Sequence, residues 1–190
     1  MNAHPTLRIL TAIPMAVIAS TIVVIAIEGG TAAVGHQAPA PPTARAELKN
    51  AKGESVGTAQ LTETPAGVLV HASFSGLAPG VHAFHIHEVG QCEPPDFKSA
   101  GGHFNPGGQH HGFASPQGAH AGDLPNIYVP ENGKIELDVL ARGVTLGSGP
   151  TGLFDANGAS LVIHQAADDY SSDPAGNAGA RIACGVIRKP

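Results

Sequence analysis

The chain has 190 residues, of which 13% are charged, and a formal net charge of −5. This length allows one domain of ordinary size with an N-terminal extension. The negative charge leaves no basic footprint of the kind that phosphate backbones require, so the composition argues against nucleic-acid binding. The 25 glycines and 16 prolines favour a turn-rich all-β domain over a helical bundle.

The N-terminal part of the chain is apolar. Residues 9–27 contain no charged side chain, and the run is longer than the apolar part of a usual signal peptide and just long enough to span a bilayer. We predict a signal peptide or an N-terminal membrane anchor at residues 1–33, and both alternatives stay open. Residues 34–44, rich in proline and alanine, are predicted to form an extended linker, and residues 45–190 the folded domain. Either alternative places the domain outside the cytoplasm, in the periplasm or the cell envelope.

An exported domain makes a disulfide between Cys92 and Cys184 the favoured state of the two cysteines. Oxidising compartments preserve such bonds, and two cysteines allow one pairing only. Two buried thiols are the alternative.

Eight short segments with alternating or β-branched apolar residues predict β-strands. They are residues 45–51, 56–63, 67–75, 81–88, 126–129, 134–140, 160–165 and 181–187. No segment carries a helical period, so we predict an antiparallel β-sandwich or flattened barrel. Residues 89–123 and 166–180 are too long for hairpin loops, and long ordered loops in compact domains are commonly functional.

Histidines are concentrated in one part of the sequence. Seven of the eleven fall between residues 82 and 120, which makes metal binding the leading explanation. His85 and His87 lie two residues apart on a predicted strand, so they project from one face with Cα atoms about 6.5 Å apart. Phe84 and Ile86 then face the core.

The first long loop supplies a second group of ligands. Three imidazoles and one carboxylate suit a tetrahedral zinc site. They are His103, His111, His120 and Asp123. His164, on a later predicted strand, adds an imidazole to His85 and His87, and a nitrogen-rich set of this kind favours copper.

Together these motifs resemble those of the copper/zinc superoxide dismutases over nearly the whole domain. The matching motifs, in the order and spacing of the family, are Phe84-His85-Ile86-His87-Glu88, Gly102-His103-Phe104-Asn105-Pro106, His120-Ala121-Gly122-Asp123-Leu124 and residues 176–185. The segment at residues 92–102 resembles the bacterial branch, whose members are typically envelope proteins. The resemblance implies an eight-stranded antiparallel Greek-key β-barrel with two long functional loops.

The resemblance also implies how the metals are bound. A copper ion would be held by His85, His87, His103 and His164. A zinc ion would be held by His103, His111, His120 and Asp123. His103 would therefore bridge both metals. Asp168 matches the aspartate that links a copper histidine to a zinc histidine, although this assignment depends on its alignment against Asp169.

The reaction that the resemblance implies is disproportionation of superoxide to oxygen and hydrogen peroxide. His103 would leave the reduced copper and take up a proton, and Arg181 would hold the superoxide anion beside the copper. The competing hypothesis is a non-catalytic copper or zinc carrier with the same fold. The complete ligand sets and Arg181 favour the enzyme. A monomer and a homodimer both stay open.

The remaining histidines are expected to take no part in the site. His82 has the strand parity of the core residues and is predicted to be a buried, hydrogen-bonded core histidine. His110 adjoins His111 and competes with it for zinc, and the register of the family favours His111. Three others are expected to be uninvolved: His4, His36 and His71.

Guidance of the anion is the point at which the sequence departs from the family. Residues 166–180 contain three aspartates but no lysine or arginine. Lys98, on the other long loop, is the candidate that would attract the substrate in their place.

Overall fold

The structure is a computed structural model, and it describes residues 40–190. The predicted signal peptide or anchor and most of the predicted linker lie outside the described residues. Within residues 40–190, no helix has the length and apolar character needed to cross a membrane.

Residues 40–190 form nine β-strands and one short 3₁₀ turn. The strands are β1 (Thr43–Asn50), β2 (Ser55–Thr64), β3 (Gly67–Ser75), β4 (Gly80–His82), β5 (Phe84–His87), β6 (Ile127–Val129), β7 (Lys134–Ala141), β8 (Ser160–His164) and β9 (Arg181–Val186), and the 3₁₀ turn is Lys98–Ala100. Seven strands form one sheet in the order β5-β8-β9-β1-β2-β3-β7, and β4 and β6 form a second. Every strand pair is antiparallel.

The small sheet connects the two edges of the large one. β4 runs into the edge strand β5 after a single residue, and β6 precedes the other edge strand, β7. Because β4 and β6 pair with each other, the edges are bridged and the sheet curls into a barrel. The predicted all-β antiparallel fold is confirmed.

The core lies inside this barrel and follows from the alternation along the strands. In β3, Val68, Val70, Ala72 and Phe74 are buried, and the residues between them face outward. Successive side chains of a strand point to opposite faces, and burying each large apolar side chain contributes roughly 1.5–3 kcal/mol. The pattern therefore fixes which face of each strand is inside.

Strands β5 and β8 differ because they are buried on both faces. The loop between β5 and β6 folds back over β5. Ile86 N donates to Gly122 O at 2.9 Å, and Phe104 N donates to Ile86 O at 2.9 Å. A side chain at Gly122 would collide with the carbonyl of Ile86 and with Phe104, so this close approach requires glycine. The histidines of β5 are thereby covered by the loop.

The predicted strand at residues 81–88 is wrong in one respect, because it is two strands. The chain changes partner at Ala83, where β4 pairs with β6 and β5 pairs with β8. Ala83 N donates to Ala166 O at 2.8 Å, and His164 N donates to Ala83 O at 2.9 Å. The other seven predicted strands agree with the structure to within two residues at each end. Residues 142–159 form a third long connection that the sequence analysis did not single out.

Candidate metal centre

Two sets of ligand atoms converge at one end of the barrel, and they share one imidazole. Within each set the atoms lie within 4.8 Å of one another. The first set is His85, His87, His103 and His164, and the second is His103, His111, His120 and Asp123. All seven side chains are buried. These are the residues that the sequence predicted, and the structure brings them together.

The ring of His103 lies between the two sets. Its Nδ1 is 2.8 Å from Asp123 Oδ1 and 3.3 Å from His120 Nδ1. Its Nε2 is buried and has no hydrogen-bond partner among residues 40–190. The ring centroid is 4.1 Å from that of His85 and 4.9 Å from that of His87. Nδ1 of His103 therefore belongs to the carboxylate-containing set, and Nε2 belongs to the all-histidine set.

Two buried ring nitrogens test whether this cluster fits a metal. His85 Nδ1 and His103 Nε2 are both buried without a hydrogen-bond partner among the described residues. An unsatisfied buried polar atom costs roughly 1–3 kcal/mol. Both atoms belong to the all-histidine set, in which His87 Nε2 and His164 Nε2 are 3.4 Å apart. A copper ion bound by four nitrogens would satisfy both orphaned atoms, so the residues fit the metal.

Hydrogen bonds to the second ring nitrogen orient three histidines. His85 Nε2 donates to Asp168 Oδ2 at 2.8 Å, and His111 Nε2 donates to Asp168 Oδ1 at 2.9 Å. His87 Nδ1 donates to Gly101 O at 3.1 Å. In His85 and His87 this bond leaves the opposite nitrogen with a lone pair directed into the cluster. The opposite nitrogen of His111, Nδ1, lies 3.1 Å from Asp123 Oδ1. Asp168 thus links the two sets, as the sequence predicted.

The electrostatics of the two sets differ. Burial lowers the pKa of His85 to about 4 and that of His164 to about 3, and it holds the pKa of His87 well below its usual value. These rings are neutral near pH 7 and can act as ligands. Burial also opposes a charge on His111, but hydrogen bonds to Asp123 and Asp168 outweigh it and raise the pKa of His111 to about 9. The two carboxylates therefore favour a positive charge at His111, and a bound zinc ion would supply that charge in place of the proton.

Arg181 lies beside the all-histidine set. It donates from Nη1 to Phe97 O at 2.7 Å and from Nη2 to Gly101 O at 2.6 Å. Burial lowers the pKa of Arg181, and its positive charge is one of the influences that lower the pKa of His87 and of His164. The guanidinium is therefore held by two carbonyls within electrostatic reach of both rings.

The loop that holds Arg181 is attached to the barrel by a disulfide. Cys92 and Cys184 are bonded, with Cα atoms 5.6 Å apart, which confirms the predicted pairing. Beside this bond, Phe97, Ala100 and Val162 form a small buried cluster with Cys184. The cluster packs the loop against β8 and β9, and so keeps the carbonyl acceptors of Arg181 in position.

Comparison with known proteins agrees with this geometry. Residues 55–187 match the family model described as copper/zinc superoxide dismutase. The chain belongs to this family. Superoxide dismutase [Cu-Zn] 2 of Aquifex aeolicus is 56% identical over 147 residues, which cover 76% of this chain and 86% of that protein.

Solved structures place the fold in the same group. A SOD-like protein from Bacillus subtilis superposes with a TM-score of 0.73 at 42% identity, covering 75% of this chain and 96% of that one. The Cu/Zn superoxide dismutase from Brucella abortus superposes with a TM-score of 0.61 at 31% identity, covering 76% of this chain and 98% of that one. The superoxide dismutase barrel thus extends over the described domain.

Asp168 and Asp169 are the two candidates for the aspartate that links the two sets in this member of the superoxide dismutase family, and the structure distinguishes them. Asp168 is buried between the two histidines. Asp169 is exposed, and its carboxylate accepts from Ser171 N at 2.9 Å, Ser172 N at 2.8 Å and Asn177 Nδ2 at 2.8 Å. Asp169 therefore organises its own loop and does not contact the metal ligands.

Two residues that support Asp168 were missed by the sequence analysis. Asn126 Nδ2 donates to Asp168 O at 2.9 Å, and Asp168 N donates to Asn126 Oδ1 at 2.8 Å. Tyr170 N donates to Asp168 Oδ1 at 2.6 Å, and Asn126 N donates to the Tyr170 hydroxyl at 2.7 Å. Asn126 is 42 residues from Asp168 along the chain. No local pattern marks it.

The remaining histidines lie outside both sets. His82 is buried, with its ring nitrogens 2.8 Å from His164 O and 2.9 Å from Ala78 O, as expected for a core histidine. The side chain of His110 is 59% exposed, whereas that of His111 is fully buried. His71 pairs on the outer face with Asp138 and Glu136. Both His4 and His36 lie outside the described residues.

Proposed function

We propose that this protein disproportionates superoxide to oxygen and hydrogen peroxide with copper and zinc as its cofactors. Copper is bound by His85, His87, His103 and His164. Zinc is bound by His103, His111, His120 and Asp123. Two superoxide anions and two protons give one oxygen and one hydrogen peroxide, so the site must exchange electrons and deliver protons.

The observation that carries this assignment is the position of His103. One imidazole can serve two dications only if both of its nitrogens are available, and here they face different ligand sets. Two adjacent cations make the fully deprotonated imidazolate accessible near neutral pH. A site for a single metal has no need of a histidine in this position.

In the proposed mechanism, the two cofactors and the side chain of His103 have separate roles. Bound copper supplies a one-electron redox couple, and bound zinc supplies a fixed positive charge. His103 Nε2 accepts a proton when it is not a metal ligand and gives it up to the developing peroxide. His103 Nδ1 stays on the side of Asp123 and His120, so the ring is held while its other nitrogen exchanges the proton.

Arg181 is the anion-binding residue in this mechanism. The half-buried guanidinium of Arg181 offers a permanent positive charge and parallel N–H donors, which suit a small diatomic anion. Its two bonds to backbone carbonyls keep it beside the all-histidine set. Burial also strengthens its attraction for the substrate, because water screens the charge less.

His103→Ala tests this assignment against the carrier hypothesis. We expect the wild-type protein to bind one copper and one zinc per chain, and the variant to lose the catalysed decay of superoxide by about 100-fold or more. Metal content by mass spectrometry and superoxide decay after pulsed generation are the measurements. His110→Ala, an exposed neighbour of the zinc set, is the matched control and should keep full activity. A wild-type protein that binds both metals but does not accelerate the decay would favour the carrier.

We further propose that residues 1–33 direct export, as a cleaved signal or a retained anchor, and that residues 45–190 function in the periplasm or the cell envelope. The disulfide supports this location, because oxidising compartments preserve such bonds. Cell fractionation tests the location, and N-terminal sequencing of the mature protein separates cleavage from anchoring. Recovery in the cytoplasm would contradict export.

A further inference from the structure

A pocket of about 610 Å³ opens onto the zinc ligands. Its inner wall includes His120 and Asp123, and Arg142 and Thr151 lie among the residues around it. The backbone on that side comes from β7 and from the connection that follows it. The pocket therefore joins the buried zinc set to solvent without passing through the all-histidine set.

Among the histidines of the zinc set, His120 has the most exposed side chain, and it lines the pocket, which His103 and His111 do not. The ring of His111 is bonded to Asp168 at 2.9 Å through Nε2, and its side chain is fully buried. The side chain of His120 is 7% exposed. Within residues 40–190 its ring interacts through Nδ1 with His103 and Asp123, and Nε2 makes no hydrogen bond. A ring held at one nitrogen can rotate with the loss of fewer contacts than a ring held at both.

The surroundings of His120 leave room for such a rotation. Its chain neighbours, Ala119 and Ala121, both line the pocket and carry the smallest side chain after glycine. The copper ligand His85, by contrast, is fully buried and fixed by Asp168. Rotation of His120 into the pocket would open one side of the zinc set, while the bridging ring of His103 keeps its hydrogen bond to Asp123.

We infer that His120 is the zinc ligand that detaches first, and that zinc enters and leaves the protein through this pocket. The inference rests on the zinc role proposed above. Arg142 is exposed at the pocket, and its positive charge repels a dication that approaches by this route. The pocket therefore sets the rate of zinc exchange, whereas the ligands set the zinc affinity.

Thr151→Trp tests the route by filling the pocket with an indole. The side chain of Thr151 is exposed, and only its backbone is hydrogen-bonded, to Thr145 N. We expect zinc transfer to an excess of a chromogenic chelator to slow about tenfold, which corresponds to a barrier raised by about 1.4 kcal/mol. Ser148→Trp, exposed on the same connection but not part of the pocket, is the matched control and should exchange zinc at the wild-type rate.

Arg142→Gln tests the same route in the opposite direction. We expect faster zinc uptake and release, by about two- to fivefold at low ionic strength, with the difference disappearing in high salt. Lys134→Gln, at the opposite end of β7, is the charge-matched control. Thr151→Trp binding one zinc and exchanging it at the wild-type rate would overturn the inference, and so would an unaltered rate in Arg142→Gln. Failure of the wild-type protein to bind zinc at all would instead refute the proposed zinc site.

Discussion

Asp168 is the residue on which the geometry of both metal sets depends. One carboxylate oxygen accepts from His85 and the other from His111, so a single side chain orients one histidine of each set. Burial opposes a charge on Asp168, but hydrogen bonds from His111, His85 and Tyr170 N outweigh it and hold the pKa of Asp168 below its usual range. Near neutral pH it is therefore ionised and can accept from both rings.

We expect Asp168→Asn to weaken zinc binding by about 10- to 100-fold, the usual effect of losing a hydrogen-bond partner of a metal ligand. An amide can accept through its oxygen only, and its NH₂ group faces a ring N–H that needs an acceptor. Competition with a chromogenic chelator measures the zinc dissociation constant. Asp169→Asn is the control, because that carboxylate accepts hydrogen bonds within its own loop. Equal losses of zinc affinity in the two variants would contradict the role of Asp168.

The ligands could be predicted from the sequence because they occur in short motifs with characteristic residue types. The two histidines of β5 are separated by one residue, and Asp123 follows His120 by three. Asn126 and Tyr170 could not be predicted in this way, because their connection to Asp168 exists only after the chain has folded. The division of one predicted strand at Ala83 could not be predicted either, because a change of strand partner leaves the apolar pattern of the sequence unchanged.

At the scale of the loops, the main question is how the anion is guided to Arg181. Lys98, which the sequence suggested for this role, is 84% exposed and pairs with Asp96 at 2.9 Å. Burial lowers the pKa of Arg181, and the negative charge of Asp96 acts in the opposite direction. Lys98 and Asp96 are therefore expected to act on the anionic substrate in opposite directions.

Opposite effects are expected from Lys98→Gln and Asp96→Asn on the second-order rate with superoxide. The first should lower the rate and weaken its dependence on salt, and the second should raise it, each by about twofold at low ionic strength. Lys134→Gln is the control for a remote charge. A salt profile that is the same in Lys98→Gln as in the wild type would rule out guidance by this lysine.

The disulfide connects this loop to the sheet, and its removal should affect both stability and activity. The bond spans 92 residues, so the chain-entropy estimate for the Cys92→Ser/Cys184→Ser double variant is a loss of up to about 4–5 kcal/mol in the free energy of unfolding. The superoxide dismutase activity should also fall, because the carbonyl groups that hold Arg181 belong to the same loop. Urea unfolding and superoxide decay measure the two effects. A double variant with wild-type stability would show that the small buried cluster holds the loop without the bond.

On the scale of the whole molecule, the two proposed metal sites belong to different kinds of structure. Three of the proposed copper ligands, His85, His87 and His164, belong to β5 and β8, which pair with each other in the large sheet. All four proposed zinc ligands lie in the connection between β5 and β6. The sheet keeps its three histidines in place through backbone hydrogen bonds between strands, whereas the members of the zinc set lie in a connection that belongs to no strand.

Removal of both metals with a chelator should therefore lower the melting temperature, and zinc alone should recover more of the loss than copper alone. A ligand present at 1,000 times its dissociation constant stabilises the folded state by about 4 kcal/mol, which corresponds to about 8–16 °C for a domain of this size. Scanning calorimetry of the metal-free, zinc-only and copper-only proteins measures the contributions. Because the four proposed zinc ligands all lie in this connection, we expect the zinc-only protein to protect the amides of residues 103–123 from hydrogen exchange. Greater protection of these amides by copper alone would mean that the connection is ordered mainly from the strand side, through His103.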